Sequence, residues 1–279
     1  MLTGSRPSAL KYSRMLLSVA QESLPHWATH ARLERLRGRI DDARKVYQTV
    51  LTASPPSPTR TGTSQLWWDW TEMEWLAGKP EVALRVVLQS VNVEGTAGIM
   101  ILRAKRNLED AYRRSVDMLW KEREAWIKLR CLLELITSSP AATLLTFDEY
   151  LLSDGDFVGG TVAHESLTVA SLLMLYHHSV TLRNPTPPAL LRDRLEKSIE
   201  VYPSNTIILG MFLEAEKGQG VWGRVRGLLG DPMADGLGRD KDVSRRVAEV
   251  WMTGWEKGRW ETEKERTKSG LVAAVESER

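Results

Sequence analysis

A single framework of residues occurs twice in this chain, 40 residues apart, in HWATHARLERLRGRIDDARKVY and LWWDWTEMEWLAGKPEVALRVV. Each copy has a Trp (Trp27, Trp67), an aromatic or His three on (His30, Trp70) and Glu at seven (Glu34, Glu74). Gly follows at eleven (Gly38, Gly78) and Ala at sixteen (Ala43, Ala83). A period near 40 is the mark of helical-hairpin arrays, in which each unit buries its apolar face only against its neighbours. Positions zero, three, seven and eleven share one stripe of a 3.6-residue helix. Gly38 and Gly78 stand where that helix must stop, because glycine enters the left-handed C-terminal cap at little steric cost. Asp41 and Asp42 in one copy, and Pro80 and Glu81 in the other, suit the first turn of a second helix. Ala43 and Ala83 then let the second helix lie close on the first, and Val46, Tyr47, Val86 and Val87 give it an apolar side.

The same register recurs more weakly downstream. Ile207 stands in the Trp position, with Glu214 at seven, Gly218 at eleven, Gly223 at sixteen and Arg224 where the first copy has Arg44. Trp251 keeps only Thr267 and Lys268 of the later positions, and Trp126 only Ala142, with Glu134 one place late. The expected fold is all-α: an α-solenoid of antiparallel helical hairpins.

Helices are expected over most of the chain: one near 7–21, hairpins near 24–53 and 64–90, one long or two abutting helices at 97–137, then helices near 141–152, 163–182, 188–201, 240–257 and 260–277. Pro203 and Ser204 read as a stop and an N-cap before the helix beginning near 206. The Gly-rich SDGDFVGGT marks a boundary, giving an N-terminal block over 1–152, a connection at 153–160 and a C-terminal block over 161–279. No stretch alternates as a strand does.

Composition narrows the class. The chain has 279 residues, 42% hydrophobic and 27% charged, enough for a sizeable core. A net charge of +2 gives no strong electrostatic steering toward nucleic acid over the whole surface. There is no 18-residue apolar run and no signal-peptide pattern at the N-terminus, so no membrane is expected. The single cysteine, Cys131, excludes an internal disulfide and fits a reducing setting, cytosol or nucleus.

These residues carry a resemblance. ARLERLRGRIDDARKVY is similar to the half-a-tetratricopeptide (HAT) repeat of RNA-processing factors. With LKYSRMLL, LLRDRLEKSIEVYPSNTIILGMFLEAE and ERTKSGLVAAVES, the chain resembles the nuclear RNAi-defective family, the proteins necessary for RNA interference. The resemblance implies a nuclear helical-repeat scaffold of RNA surveillance and small-RNA-directed heterochromatic silencing. Its implied partners are an exosome-linked RNA helicase, splicing factors or silencing factors. Family members carry a long polar region with the helicase-binding segment ahead of the repeats, whereas this chain begins almost at them. That departure reads as N-terminal truncation, a fragmentary gene model or a diverged fungal-type member.

No catalytic constellation is expected, nor a cofactor or metal. Gly218, Gly220 and Gly223 spell G-x-G-x-x-G, but a dinucleotide site needs a preceding strand, and IILGMFLEAEK reads as a helix. His26 and His30 are four apart without a third ligand or the glutamate of a metalloprotease motif, so packing or capping suits His30 better. His177 and His178 diverge around a helix, and His164 stands alone. Trp27, Trp67, Trp126 and Trp251 are expected in the core, while Trp68 and Trp75 lie off the buried stripe or at its margin, free for a neighbouring helix or partner. Arg103, Arg106 and Arg113 recur on one side of a helix within a basic stretch from 103 to 130. A solvated face is the plain reading, and contact with the backbone of single-stranded RNA is the alternative function.

Overall fold

A computed structural model describes residues 6–53, 60–93, 97–153 and 155–217. Among them are eleven α-helices and no strand. The chain divides into two compact units, residues 1–167 and 168–279.

The first unit opens with α1 (Arg6–Val19), followed by a hairpin of α2 (Leu24–Leu36) and α3 (Ile40–Gln48) that ends in a π-helical turn at Thr49–Ala53. A second hairpin joins α4 (Thr63–Leu76) to α5 (Pro80–Ser90). Both hairpins turn on the expected glycines, with φ +78° at Gly38 and +73° at Gly78. The amide of Gly38 donates to the Arg35 carbonyl at 2.9 Å and that of Arg39 to Glu34 at 3.0 Å; Gly78 and Lys79 repeat this on Trp75 and Glu74 at 2.9 and 3.1 Å. This is the paired bonding of a left-handed helix terminus, which satisfies carbonyls that would otherwise be orphaned. A Cβ added at Gly78 would meet nothing within 4 Å, so the requirement is purely one of backbone conformation. Gly78→Ala is therefore expected to cost about 1–2 kcal/mol from the left-handed φ alone, read as a lowered urea midpoint with an unchanged slope.

The stretch over 97–137 is two helices, α6 (Ala97–Arg114) and α7 (Trp120–Thr137), separated by a turn; α8 (Pro140–Ser153) follows. Helix α7 packs against α4, α5, α6 and α8, which makes it the centre of this unit. Its presence decides between the two alternatives for Trp68 and Trp75 in favour of a neighbouring helix. Both are buried, because α4 has α2, α3, α5 and α7 around it and keeps almost no solvent face. Lys128 of α7 lies 4.9 Å over the Trp68 ring. Trp27 differs in the opposite sense: it is only half-buried, and its indole N–H donates to the Gln21 carbonyl at 2.7 Å. Helix α2 packs on α1, α3 and α4 and so is less enclosed than α4. Trp126 is fully buried, as expected of a core residue.

Helix α9 (Val162–Tyr176) follows, capped by the Thr161 hydroxyl, which accepts from the His164 amide at 3.2 Å. The division between the units falls within it. In the second unit, α10 (Pro188–Val201) and α11 (Thr206–Lys217) pack together through Leu191, Leu195 and Ile199 on one side and Ile208 and Phe212 on the other. Asn205, not Ser204, caps α11: its side-chain oxygen accepts from the amides of Ile207 and Ile208 at 3.0 Å. An N-cap residue sits directly before the first helical turn, and Thr206 opens this one. The weaker copy of the framework is also out of register, since Ile207 and Glu214 are exposed while Ile208 and Phe212 fill the core. The burial stripe is set one residue later than the framework requires. Gly218, Gly223, Arg224 and Trp251, the G-x-G-x-x-G stretch and the helices expected at 240–257 and 260–277 lie outside the described residues.

Candidate interaction surface and its buried ion pairs

The strongest copy of the framework is a stacked aromatic column closed by a salt bridge. Trp67 and Trp70 stack with centroids 5.9 Å apart, and Tyr47 of the preceding hairpin stacks on Trp70 at 6.3 Å. Four residues on, Glu74 accepts the Trp70 indole N–H at 3.3 Å. Its side chain is 0% exposed, and Arg44 of α3 binds it bidentately, Nε to Oε1 at 2.5 Å and Nη2 to Oε2 at 2.9 Å. Arg44 also bonds Asp41. A buried carboxylate needs such a partner to remain charged. Ala43 and Ala83, the small framework residues, are completely buried between helices.

The first copy repeats the arrangement one hairpin earlier. Glu34 is buried, and Arg14 of α1 bonds it at 3.2 Å, with Arg39 at 3.5 Å. His30, in the aromatic slot, is buried; its Nδ1 lies 3.2 Å from the Ser13 hydroxyl, and its Nε2 lies 3.9 Å from Glu34. Burial pushes the imidazole below its ordinary value, Glu34 opposes that and Arg14 adds to it. The folded state thus favours neutral His30, so stability is complete above the unfolded value near 6.5 and falls as pH drops through it. The melting midpoint is expected to be lower at about pH 5.5 than at about pH 7.5, and His30→Phe should reduce that difference.

A third example lies in the weak copy at Trp126, where Glu134 stands one place late. Glu134 of α7 bonds Lys105 of α6 at 2.7 Å, Arg130 at 2.7 Å and the Ser138 hydroxyl at 2.8 Å. Burial pushes its carboxyl up, but the Lys105, Arg130 and Ser138 hydrogen bonds outweigh this and hold it at about 2. Helices α1, α3 and α6 thus share one local pattern: a small buried residue, a cation, then an apolar residue four after the small one. The triplets are Ser13, Arg14 and Leu17; Ala43, Arg44 and Tyr47; and Ala104, Lys105 and Leu108. Each supplies the cation that neutralises a buried glutamate on the helix it precedes in the fold.

This inward use of charge divides the basic stretch from 103 to 130. Lys105, Lys128 and Arg130 face acids, and Arg123 is buried against Tyr112, its Nη2 donating to the phenol oxygen at 3.1 Å. Arg103, Arg106 and Arg113 remain on the exposed side of α6, with Arg113 bonding Glu109 at 3.2 Å. Among the described residues, no group of three His, Cys, Asp or Glu could hold a metal ion, and no helix is long and apolar enough to cross a membrane. Burial raises the Cys131 thiol well above its ordinary value.

No protein-family model matches the chain, and no curated protein matches it.

The remaining described surface carries apolar side chains in several places. Tyr12, Met15 and Val19 are exposed on α1, Ile99 and Leu102 on α6, and Leu145 and Leu152 on α8.

Proposed function

We propose that the hairpins stack as a HAT-type solenoid and act as a non-enzymatic scaffold in nuclear RNA surveillance and small-RNA-directed heterochromatic silencing. Its partners in this reading are proteins: an exosome-linked RNA helicase, splicing factors or silencing factors. The observation that supports it best is the recurrence of the small-cation-apolar pattern against a buried glutamate, at Arg14 and Glu34, Arg44 and Glu74, and Lys105 and Glu134. Such side chains join one helix to the next, as expected where each unit is stabilised by its neighbours. The nuclear setting and the identity of the partners rest on the resemblance to the nuclear RNAi-defective family.

Affinity capture from nuclear extract with the full chain tests this. Enrichment of the helicase, splicing or silencing factors over a matched control is the expected result. Recovery of none of these classes would sink the assignment. The second reading, a single-stranded RNA module, draws on the exposed Arg103, Arg106 and Arg113. It requires salt-dependent binding of an oligouridylate that weakens on replacing these arginines, and no binding at low salt ends it.

A further inference from the structure

Proline spacing fixes the backbone of the strap that joins α9 to α10. In Arg183-Asn184-Pro185-Thr186-Pro187-Pro188, three residues precede a proline, namely Asn184, Thr186 and Pro187, and each is thereby pushed out of the helical region. Residues 183–187 accordingly form no helix, Pro187 stands at φ −56° and ψ 122°, and α10 begins at Pro188. The strap is anchored at its start. The Asn184 amide donates to the His178 carbonyl at 3.0 Å, and the Asn184 side-chain nitrogen lies 3.3 Å from His178 Nδ1. Beyond that anchor Pro185, Pro187 and Pro188 are exposed. Thr186 between them is half-buried, and its hydroxyl donates to the Asn184 carbonyl of the same strap at 3.2 Å.

Thr186-Pro187 is one of four places in the sequence where Ser or Thr precedes Pro. Ser54-Pro55 and Ser57-Pro58 lie outside the described residues. Ser139-Pro140 is the instructive comparison, because its surroundings are opposite in kind. It lies in the turn between α7 and α8, where the Ser139 hydroxyl oxygen accepts the Ala142 amide and the Ser139 carbonyl accepts the Thr143 amide, both at 3.1 Å. That makes Ser139 the N-cap of α8, with its hydroxyl committed to its own helix. Phosphoryl transfer requires the acceptor hydroxyl to reach in line with the γ-phosphorus of ATP, beside the aspartate of a kinase's catalytic loop. A non-helical strap with exposed flanks can present its hydroxyl in that way, whereas a capping residue between two packed helices cannot. Charge agrees with this: Arg183 is exposed three residues before Thr186, and the first turn of α10 holds no acid to repel a phosphate.

We propose that Thr186 is a phosphorylation site for a proline-directed Ser/Thr protein kinase, with ATP as the phosphoryl donor. Thr186 Oγ1 forms a bond to the γ-phosphorus as the bond from that phosphorus to the leaving ADP oxygen breaks, and the hydroxyl proton passes to the kinase's aspartate. Pro187 selects the kinase class, because it brings no N–H into the cleft. The proposal is independent of both functional readings above, since it requires neither a nuclear partner nor RNA.

The test uses the full 279-residue chain carrying Ser54→Ala and Ser57→Ala, so that incorporation reports on the described sites. Incubated in its folded state with a purified proline-directed kinase, magnesium and ATP, the chain should gain one phosphate by intact mass, and fragmentation should place it on Thr186. Thr186→Val should abolish the gain without moving the melting midpoint, and Ser139→Ala should leave the gain intact. Pro187→Ala should lower the kinase's kcat/KM for the chain by about tenfold or more. A synthetic peptide of residues 132–145 should be modified on Ser139 although the folded chain is not, because the cap is absent from the peptide. No incorporation into the folded chain, phosphate on Ser139 in place of Thr186, or incorporation indifferent to Pro187→Ala overturns the proposal. A Ser139 peptide as inert as the folded chain overturns the geometric selection on which it stands.

Discussion

Arg44→Ala is expected to destabilise the chain by about 3 kcal/mol, because it leaves the Glu74 carboxylate buried with only the Trp70 indole N–H as a donor. The Coulombic worth of the pair is not what sets this figure. It is the desolvation of an uncompensated charge, which removal of one partner exposes and removal of both relieves. The double variant Arg44→Met, Glu74→Leu should therefore recover most of the loss, read as a denaturant midpoint close to that of the parent chain. A double variant as unstable as Arg44→Ala alone would show that shape rather than charge balance dominates the site. By the same reasoning Lys45→Ala, three-quarters exposed and paired only at the surface, should shift the midpoint little.

Trp67→Ala should cost about 3–5 kcal/mol, the range for removing a large aromatic side chain from a packed core. Trp67 is buried in α4, stacks on Trp70, and through it adjoins Tyr47 of the neighbouring hairpin. Its loss opens a cavity in a helix with four neighbours, where relaxation is hard. An unchanged chemical-denaturation midpoint would contradict the assignment. The contrast with Trp27 is informative: that indole is half-buried, so Trp27→Ala should cost distinctly less despite the identical framework position.

The difference between these two tryptophans shows what the sequence carries. Gly38 and Gly78 were legible because a left-handed helix terminus is a local demand that glycine meets, and the hairpins follow from the turn. The first-turn acids Asp41, Asp42 and Glu81 were legible for the same reason. Burial of Trp68 and Trp75 was not, because it depends on α7, about fifty residues away, and periodicity within α4 cannot announce a fourth neighbour. In α11, spacing alone favoured Ile207, yet the helix turns its next residue inward, because packing on α10 and not a template fixes the stripe. The ion pairs joined residues on separate helices, twenty or thirty positions apart. Their signal was present in Ser13-Arg14-x-x-Leu17 and Ala104-Lys105-x-x-Leu108, but without the Tyr of the strong copy it did not stand out.

The placement of each cation also bears on how such a chain can lengthen or shorten between generations. Arg14 and Arg44 occupy equivalent sites, as do Glu34 and Glu74, so the halves of the two contacts are interchangeable. Excision of the α2–α3 hairpin, with breakpoints ahead of Leu24 and ahead of Thr63, sets Arg14 opposite Glu74 and strands neither charge. Breakpoints at Gly38 and Gly78 do the same in another phase: they remove Arg44 together with Glu74 and leave Arg14 on Glu34. The contacts are kept whenever one whole period is gained or lost, so the unit of inheritance is the period itself.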